Sequence, residues 1–324
     1  MSYSSIINVS NSTENLTVGT RGSLLARTQT QWVIDRIVEA NPGLQVTTRI
    51  ITTSGDRQQN RPLPEIGGKG LFTEELERAL LDGDIDLAVH STKDLPTDLK
   101  PGLAVMAYPA REDPRDAWVS GDGTRFEDIP QGSVVGTTSL RRQAQLLVRR
   151  PDITFVGLRG NVDTRIRKVQ RGDCAGAVLA LAGLKRVSLE GHVTHPFEPA
   201  DMLPAPGQGA LAIEGRADDA RLAAFLQPIH DAATAAAVNC ERAILARLDA
   251  GCRAPVGIYA TVADDVLDCE ALVISPDGKR QVRCKMRGQF GHVEDLVDRI
   301  VSDLKSQGAD EIIATCRHPG DIGN

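Results

Sequence analysis

From Leu16 to Val89, short apolar runs alternate with stretches of helical periodicity, and this alternation restricts the fold more than any other feature of the chain. Leu16 to Gly19 reads as a strand and Leu24 to Ala40 as a helix, which Asn41-Pro42-Gly43 stops. Val46 to Thr52 is a second strand. Phe72, Leu76, Ala79 and Leu80 recur at helical spacing over Leu71 to Leu81, and Ile85 to Val89 is a third strand. This βαβαβ order predicts an α/β unit with a mostly parallel sheet covered on both faces. A second alternating unit begins near Asp113. It has strands at Val134-Val135, Ile153 to Leu158 and Ala175 to Leu181, with helices running to Leu147 and over Val162 to Gln170. Pro204 to Gly209 interrupts the pattern, and the apolar run Ala210 to Ile213 is placed to return to the first unit. The last third differs: a helix over Ala232 to Leu248, three strands between Val256 and Arg287, and a helix over Val293 to Leu304. Grouped strands flanked by helices predict a small α+β domain. The expected division is a disordered tail over 1–15, a first domain of 16–112 plus 207–229, a second of 113–206 and a third of 230–324.

Composition narrows the function. The 324 residues carry a formal net charge of -6 and only 3% aromatic residues. That argues against a nucleic-acid or membrane-surface role and against base-stacking platforms. No apolar run approaches the roughly 20 residues that cross a bilayer, and the polar N-terminal stretch lacks a secretory pattern, so a cytoplasmic protein is expected. The six cysteines are scattered, with no Cys-x-x-Cys pair, and the six histidines do not cluster. Free thiols and no metal site are expected.

Against that acidic background the basic residues are unevenly spread. Between Gly136 and Arg171 stand eight arginines and a lysine, opposed within the segment by Asp152 and Asp163 alone. Arg141 and Arg142 fall in the first turn of a helix, where the partial positive charge of the helix end disfavours them. An anion between them and the amides behind Thr137-Thr138-Ser139 would reverse that penalty. Arg159 ends another strand, and Arg165 lies about a turn further on. Thr20-Arg21-Gly22-Ser23 and Lys185-Arg186 repeat the device, so a polyanion held in a cleft between two domains is expected. Gly67-Gly68-Lys69-Gly70 lacks the spacing of a phosphate loop but lies in a Gly- and Pro-rich excursion, Ser54 to Gly70, that could act as a lid. Lys93 and Asp94 follow the strand that ends at Val89. A carboxylate beside a lysine at such a strand end is a candidate proton donor, although the pair alone also fits a solvated turn. Cys252, beside Arg253, could be activated by its neighbour; alone it also fits an unreactive loop thiol.

In order along the chain stand Thr20-Arg-Gly-Ser-Leu-Leu-Ala26, Gly67-Gly-Lys-Gly-Leu-Phe72, Val89-His-Ser-Thr-Lys-Asp-Leu-Pro96 and Gly136-Thr-Thr-Ser-Leu-Arg-Arg142. Leu158-Arg-Gly-Asn-Val162, Ala182-Gly-Leu-Lys-Arg186, Pro206-Gly-Gln-Gly209 and Gly251-Cys-Arg-Ala-Pro255 follow. This series resembles the porphobilinogen deaminase (hydroxymethylbilane synthase) family over Leu16 to Thr315. The resemblance implies two type II periplasmic-binding-protein-like domains and a third small α+β domain. It implies a transferase of tetrapyrrole biosynthesis, which joins four porphobilinogen molecules head to tail with loss of ammonia. Growth would start on a dipyrromethane cofactor held as a thioether by Cys252. Asp94 matches the catalytic acid. Lys93, Asp94, Ser139, Arg141, Arg142, Arg165 and Arg186 match cofactor-binding positions, while Arg21, Ser23, Thr137, Arg159 and Arg165 match substrate-binding ones. Lys69 matches a mobile segment over the cleft, here diluted by Asn60 and Glu65. Each pyrrole carries an acetate and a propionate, which would account for the arginines. The implied partner is the small substrate, with neither nucleic acid nor membrane, and the implied assembly is a monomer. A competing reading is a non-catalytic solute-binding or effector-sensing protein, which would have no use for a thiol-bearing third domain.

Overall fold

A computed structural model describes residues 14–57, 73–250 and 254–317. Cys252 and Lys69 lie outside the described residues. Strands and helices are numbered in chain order.

Among the described residues, two five-stranded sheets share one plan. In the first, the order is β2 (Gln45–Ile50), β1 (Asn15–Thr20), β3 (Leu87–Ser91), β10 (Leu211–Arg216) and β4 (Leu103–Ala107). The second runs β7 (Thr154–Val156), β6 (Val134–Gly136), β8 (Gly176–Ala180), β5 (Asp116–Ser120) and β9 (His195–Pro196). Each sheet takes one strand from a chain that has just crossed from the other: β5 enters the second sheet and β10 returns to the first. Both exchanged strands run antiparallel to both of their neighbours. This is the pair of like α/β domains that the family resemblance implies.

The sheets are therefore mixed rather than mostly parallel. The βαβαβ pattern predicts the parallel pairs β1–β2 and β1–β3 correctly, but strand direction after a crossover leaves no mark in local periodicity. The strands β4 and β5 were not anticipated. Nor is all of Ser54 to Gly70 irregular, since α2 (Ser54–Arg57) is a short helix.

Helix α1 (Leu24–Ala40) shows how local sequence makes the frame. Ser23 caps it, its Oγ accepting from the Ala26 amide at 3.2 Å, a contact worth about 1 kcal/mol. At the other end Asn41 donates to the Ile37 carbonyl, and Gly43 takes φ +95°. Val33, Ile34 and Ile37 are buried against Leu16, Val18, Leu87 and Val89, each contributing about 1.5–3 kcal/mol. Helix α3 (Glu74–Leu81) covers the same sheet. In the second sheet, α4 (Leu140–Arg149), α5 (Val162–Gln170) and α6 (Leu181–Arg186) follow strands β6, β7 and β8.

The third sheet is the antiparallel meander β11 (Val256–Ala263), β12 (Val266–Ile274) and β13 (Gln281–Gln289). Helices α8 (Ala232–Arg247) and α9 (Val293–Ser306) pack on it. Cys240, Cys269 and Cys284 are free thiols inside this core, as are Cys174 and Cys316 elsewhere. Helices α7 (Ala220–Leu226) and α10 (Ala309–Arg317) complete the described chain. The two crossovers between the first and second sheets lie side by side. At Gly209, φ is +88° and a Cβ would sit 2.3 Å from the Glu112 carbonyl oxygen, so the two strands approach backbone to backbone where only glycine fits.

Candidate active site between the two sheets

Strand β3 delivers the first group of side chains. After Ser91 the chain makes a 3-10 turn over Thr92–Asp94, closed by the Leu95 amide on the Thr92 carbonyl at 3.1 Å. The turn buries Thr92 and Leu95 and leaves Lys93 and Asp94 facing out. Arg242 of α8 fixes the far side of the turn by donating to the carbonyls of Leu95 and Pro96 at 3.0 and 2.6 Å.

The first turn of α4 delivers the second group. Ser139 is the N-cap, and its Oγ accepts from the Arg142 amide. Arg141 and Arg142 are buried, 6% and 7% exposed. An anion does sit between them, but it belongs to the chain: Asp116, wholly buried at the start of β5, pairs with Arg141 Nη2 at 2.8 Å and Arg142 Nη2 at 2.7 Å. Each arginine also donates to a backbone carbonyl, Arg141 to Leu203 and Arg142 to Val178. Burial alone would raise the Asp116 carboxyl. The charges of Arg141 and Arg142 outweigh it, with hydrogen bonds from Arg142 and Gln208, and hold the group ionised far below the usual carboxylate range.

Gln208, on the second crossover, joins the two groups. Its Nε2 donates to Asp116 Oδ1 at 2.9 Å and to the Pro114 carbonyl at 2.7 Å, while its Oε1 accepts from Lys93 Nζ at 3.3 Å. Lys93 is exposed to water, with charged side chains close around it. Loss of hydration brings its ammonium down to about 8; Asp94 opposes that shift, and Arg142 adds to it. Arg165 stands in the same field, lowered first by burial and then by Arg142, with Asp94 opposing. Among the described residues, Lys93, Arg141, Arg142 and Arg165 thus share the field of Asp94 and Asp116, two more positive charges than negative ones within the cluster. A site with surplus positive charge favours a ligand with several carboxylates.

The remaining expected residues are distributed around this centre. Arg186 ends α6 and donates to the Gly209 carbonyl at 2.6 Å, next to Gln208, and burial lowers it to about 10. Thr137 is buried behind the α4 cap, its Oγ1 accepting from the Ser139 amide. Arg159 is half-buried at the turn before α5, where Arg165 Nε donates to the Gly160 carbonyl. Arg21 occupies the β1–α1 turn and pairs with Asp56 of α2. Ser23 serves α1 as its cap. Lys185 is engaged by Glu112 at 2.8 Å rather than facing the cleft alone.

Asp116 lies outside the motifs read in the sequence, and Gln208 lies inside one of them, Pro206-Gly-Gln-Gly209, with no role assigned to it there. The available signal for Asp116 was a carboxylate opening the otherwise apolar run Asp116-Ala-Trp-Val119. A separate cavity of about 240 Å³, lined by Arg111, Asp113, Thr234 and Tyr259 among others, shares no lining residue with this cluster.

Comparison with known proteins identifies the family. Residues 16–224 match the family model for the porphobilinogen deaminase dipyromethane cofactor binding domain, and residues 235–306 match that for the porphobilinogen deaminase C-terminal domain. The chain is 47% identical to the porphobilinogen deaminase of Syntrophotalea carbinolica over 94% of this chain and 96% of that one. It is 48% identical to that of Desulforudis audaxviator over 93% and 97%. Among solved structures it is similar to the Escherichia coli periplasmic aliphatic sulphonate binding protein SsuA (TM-score 0.38, 16% identity, 73% of this chain and 70% of that one). With both family models matched in order and relatives nearly half identical along almost the whole chain, the chain belongs to the porphobilinogen deaminase family.

Proposed function

We propose that this chain condenses four porphobilinogen molecules head to tail, releasing ammonia at each step, to give linear hydroxymethylbilane, with Asp94 as its acid–base group. The observation that carries this reading is the outward-facing Asp94 beside a cluster with two positive charges in excess. The cations bind the acetate and propionate arms, and the carboxylate meets the reacting carbon.

Asp94 accepts a hydrogen bond from the protonated aminomethyl group of the incoming substrate. As ammonia leaves, the carboxylate stabilises the cation left on the substrate carbon. It then takes the proton that the attacked pyrrole loses when the new carbon–carbon bond forms, and passes it to the ammonia. Arg21, Ser23, Thr137, Arg159 and Arg165 would orient the substrate, with Lys69 at the lid.

The donor set suits a dipyrromethane with four carboxylates, because Lys93, Asp94, Ser139, Arg141, Arg142, Arg165 and Arg186 would surround it and Cys252 would anchor it. When bound, this group supplies the nucleophilic pyrrole end from which the product grows.

The proposed division is 16–112 plus 207–229, 113–206 and 230–324, supported by one sheet in each. A cytoplasmic monomer is proposed; no described helix is long and apolar enough to cross a membrane.

The anchoring role is tested by intact mass. Active wild-type protein should exceed its sequence mass by two condensed pyrrole units, and Cys252→Ser should not. An unmodified mass for active protein would remove Cys252 from the account.

A further inference from the structure

Arg21 and Asp56 form an ion pair unlike the one around Asp116. Arg21 Nε and Nη2 meet Asp56 Oδ2 and Oδ1 at 3.2 and 2.5 Å, the two-pronged geometry in which a guanidinium receives any carboxylate. Both side chains remain partly exposed, 24% and 19%, so water and ligand can reach them. The pair is not the only tether of α2. Ser54 donates from its amide and Oγ to Glu75 Oε1 of α3 at 2.8 and 2.5 Å. Nor does Asp56 depend on Arg21 for all its hydrogen bonds, since Thr53 Oγ1 donates to its Oδ2 at 2.8 Å. Asp56 could therefore give up Arg21 and keep both its place and a partner.

We propose that Asp56 is an internal stand-in for a substrate carboxylate: it holds the Arg21 guanidinium in receiving geometry and is exchanged for an acetate or propionate arm when substrate enters. Asp56 then sets substrate affinity, and it rejects weakly charged ligands because only a carboxylate can replace it. This rests on the reading of Arg21 as a substrate-binding residue. Hydrogen bonds from Arg21 and Thr53 outweigh the effect of burial and keep the Asp56 carboxyl ionised below its usual range, so the exchange is one carboxylate for another near neutral pH.

The probe is a pyrrole with acetate and propionate arms but no aminomethyl group, which binds without reacting, titrated calorimetrically into the holoenzyme. Asp56→Asn removes the competitor and should tighten binding about three- to tenfold. Arg21→Gln should weaken it, and the double variant should match Arg21→Gln, because Asp56 acts only through Arg21. Unchanged or weaker binding by Asp56→Asn, with Arg21→Gln still weak, would overturn the exchange and leave Asp56 as an orienting group. If Arg21→Gln bound the probe as wild type does, the assignment of Arg21 to the substrate site would fall, and this inference with it.

Discussion

The two walls of the cleft handle charge in opposite ways. On the β3 side, a one-turn 3-10 segment turns Lys93 and Asp94 outward and uses buried Thr92 and Leu95 as its footing. On the α4 side, Arg141 and Arg142 are folded inward onto a carboxylate with no exposure at all. The first wall keeps its charged groups available to react. The second fixes its charged groups before any ligand arrives, so binding need not pay for ordering them. The difference teaches that charge density alone does not identify a reacting group; what matters is whether the charge is already satisfied by the fold.

The largest effect should come from removing the counter-ion that makes the α4 wall. Asp116→Asn leaves two buried guanidiniums facing each other without their carboxylate, and breaking a buried pair in this way costs about 3–5 kcal/mol. A matching fall in denaturant midpoint and Tm is expected. A change below about 1 kcal/mol would mean that Asp116 is dispensable and that the two walls are not as different as described.

A smaller effect should appear on the β3 wall with pH. The ammonium of Lys93 is lowered to about 8, below its value in the unfolded chain. The folded state binds this proton less tightly, so Lys93 opposes folding below about pH 8, and that opposition is relieved as pH rises toward the ordinary lysine value. For binding the sign is opposite, because losing the charge above pH 8 weakens the hold on pyrrole carboxylates. KM for substrate should rise a few-fold between pH 7 and 9, and Lys93→Gln should flatten that rise at a weaker overall affinity. The same slope in Lys93→Gln would assign the titration to another group.

Much of this contrast could be read in the chain, and the unread part has one physical cause. The bounds of α1 and α5 follow from local periodicity and stop signals, and they match the structure. Lys93-Asp94 could be read because a strand end and its polar turn are adjacent in sequence. Arg141 and Arg142 stood out because arginine is misplaced at a helix start; the expected anion exists, but as Asp116, 26 residues before Arg142. Gln208 is 92 residues from Asp116 and 115 from Lys93. Pairings across that separation depend on which sheet a returning strand joins, and local pattern carries no record of it. The antiparallel entry of β5 and β10 was unreadable for the same reason.

The central claim is that the outward-facing Asp94 is the carboxylate that does the chemistry. The direct measurement is single-turnover ammonia release from wild type, Asp94→Asn and Asp94→Glu, each carrying its cofactor and each checked for Tm. Asp94→Asn keeps the shape but loses both proton and charge, so its rate should fall about 10²–10⁴-fold. Asp94→Glu keeps the carboxylate about one methylene out of place and should fall less, and both should melt within a few degrees of wild type because the side chain supports nothing buried. If Asp94→Asn released ammonia within about tenfold of wild type, the outward-facing carboxylate would not be the acid–base group, and the distinction drawn between the two walls would be wrong.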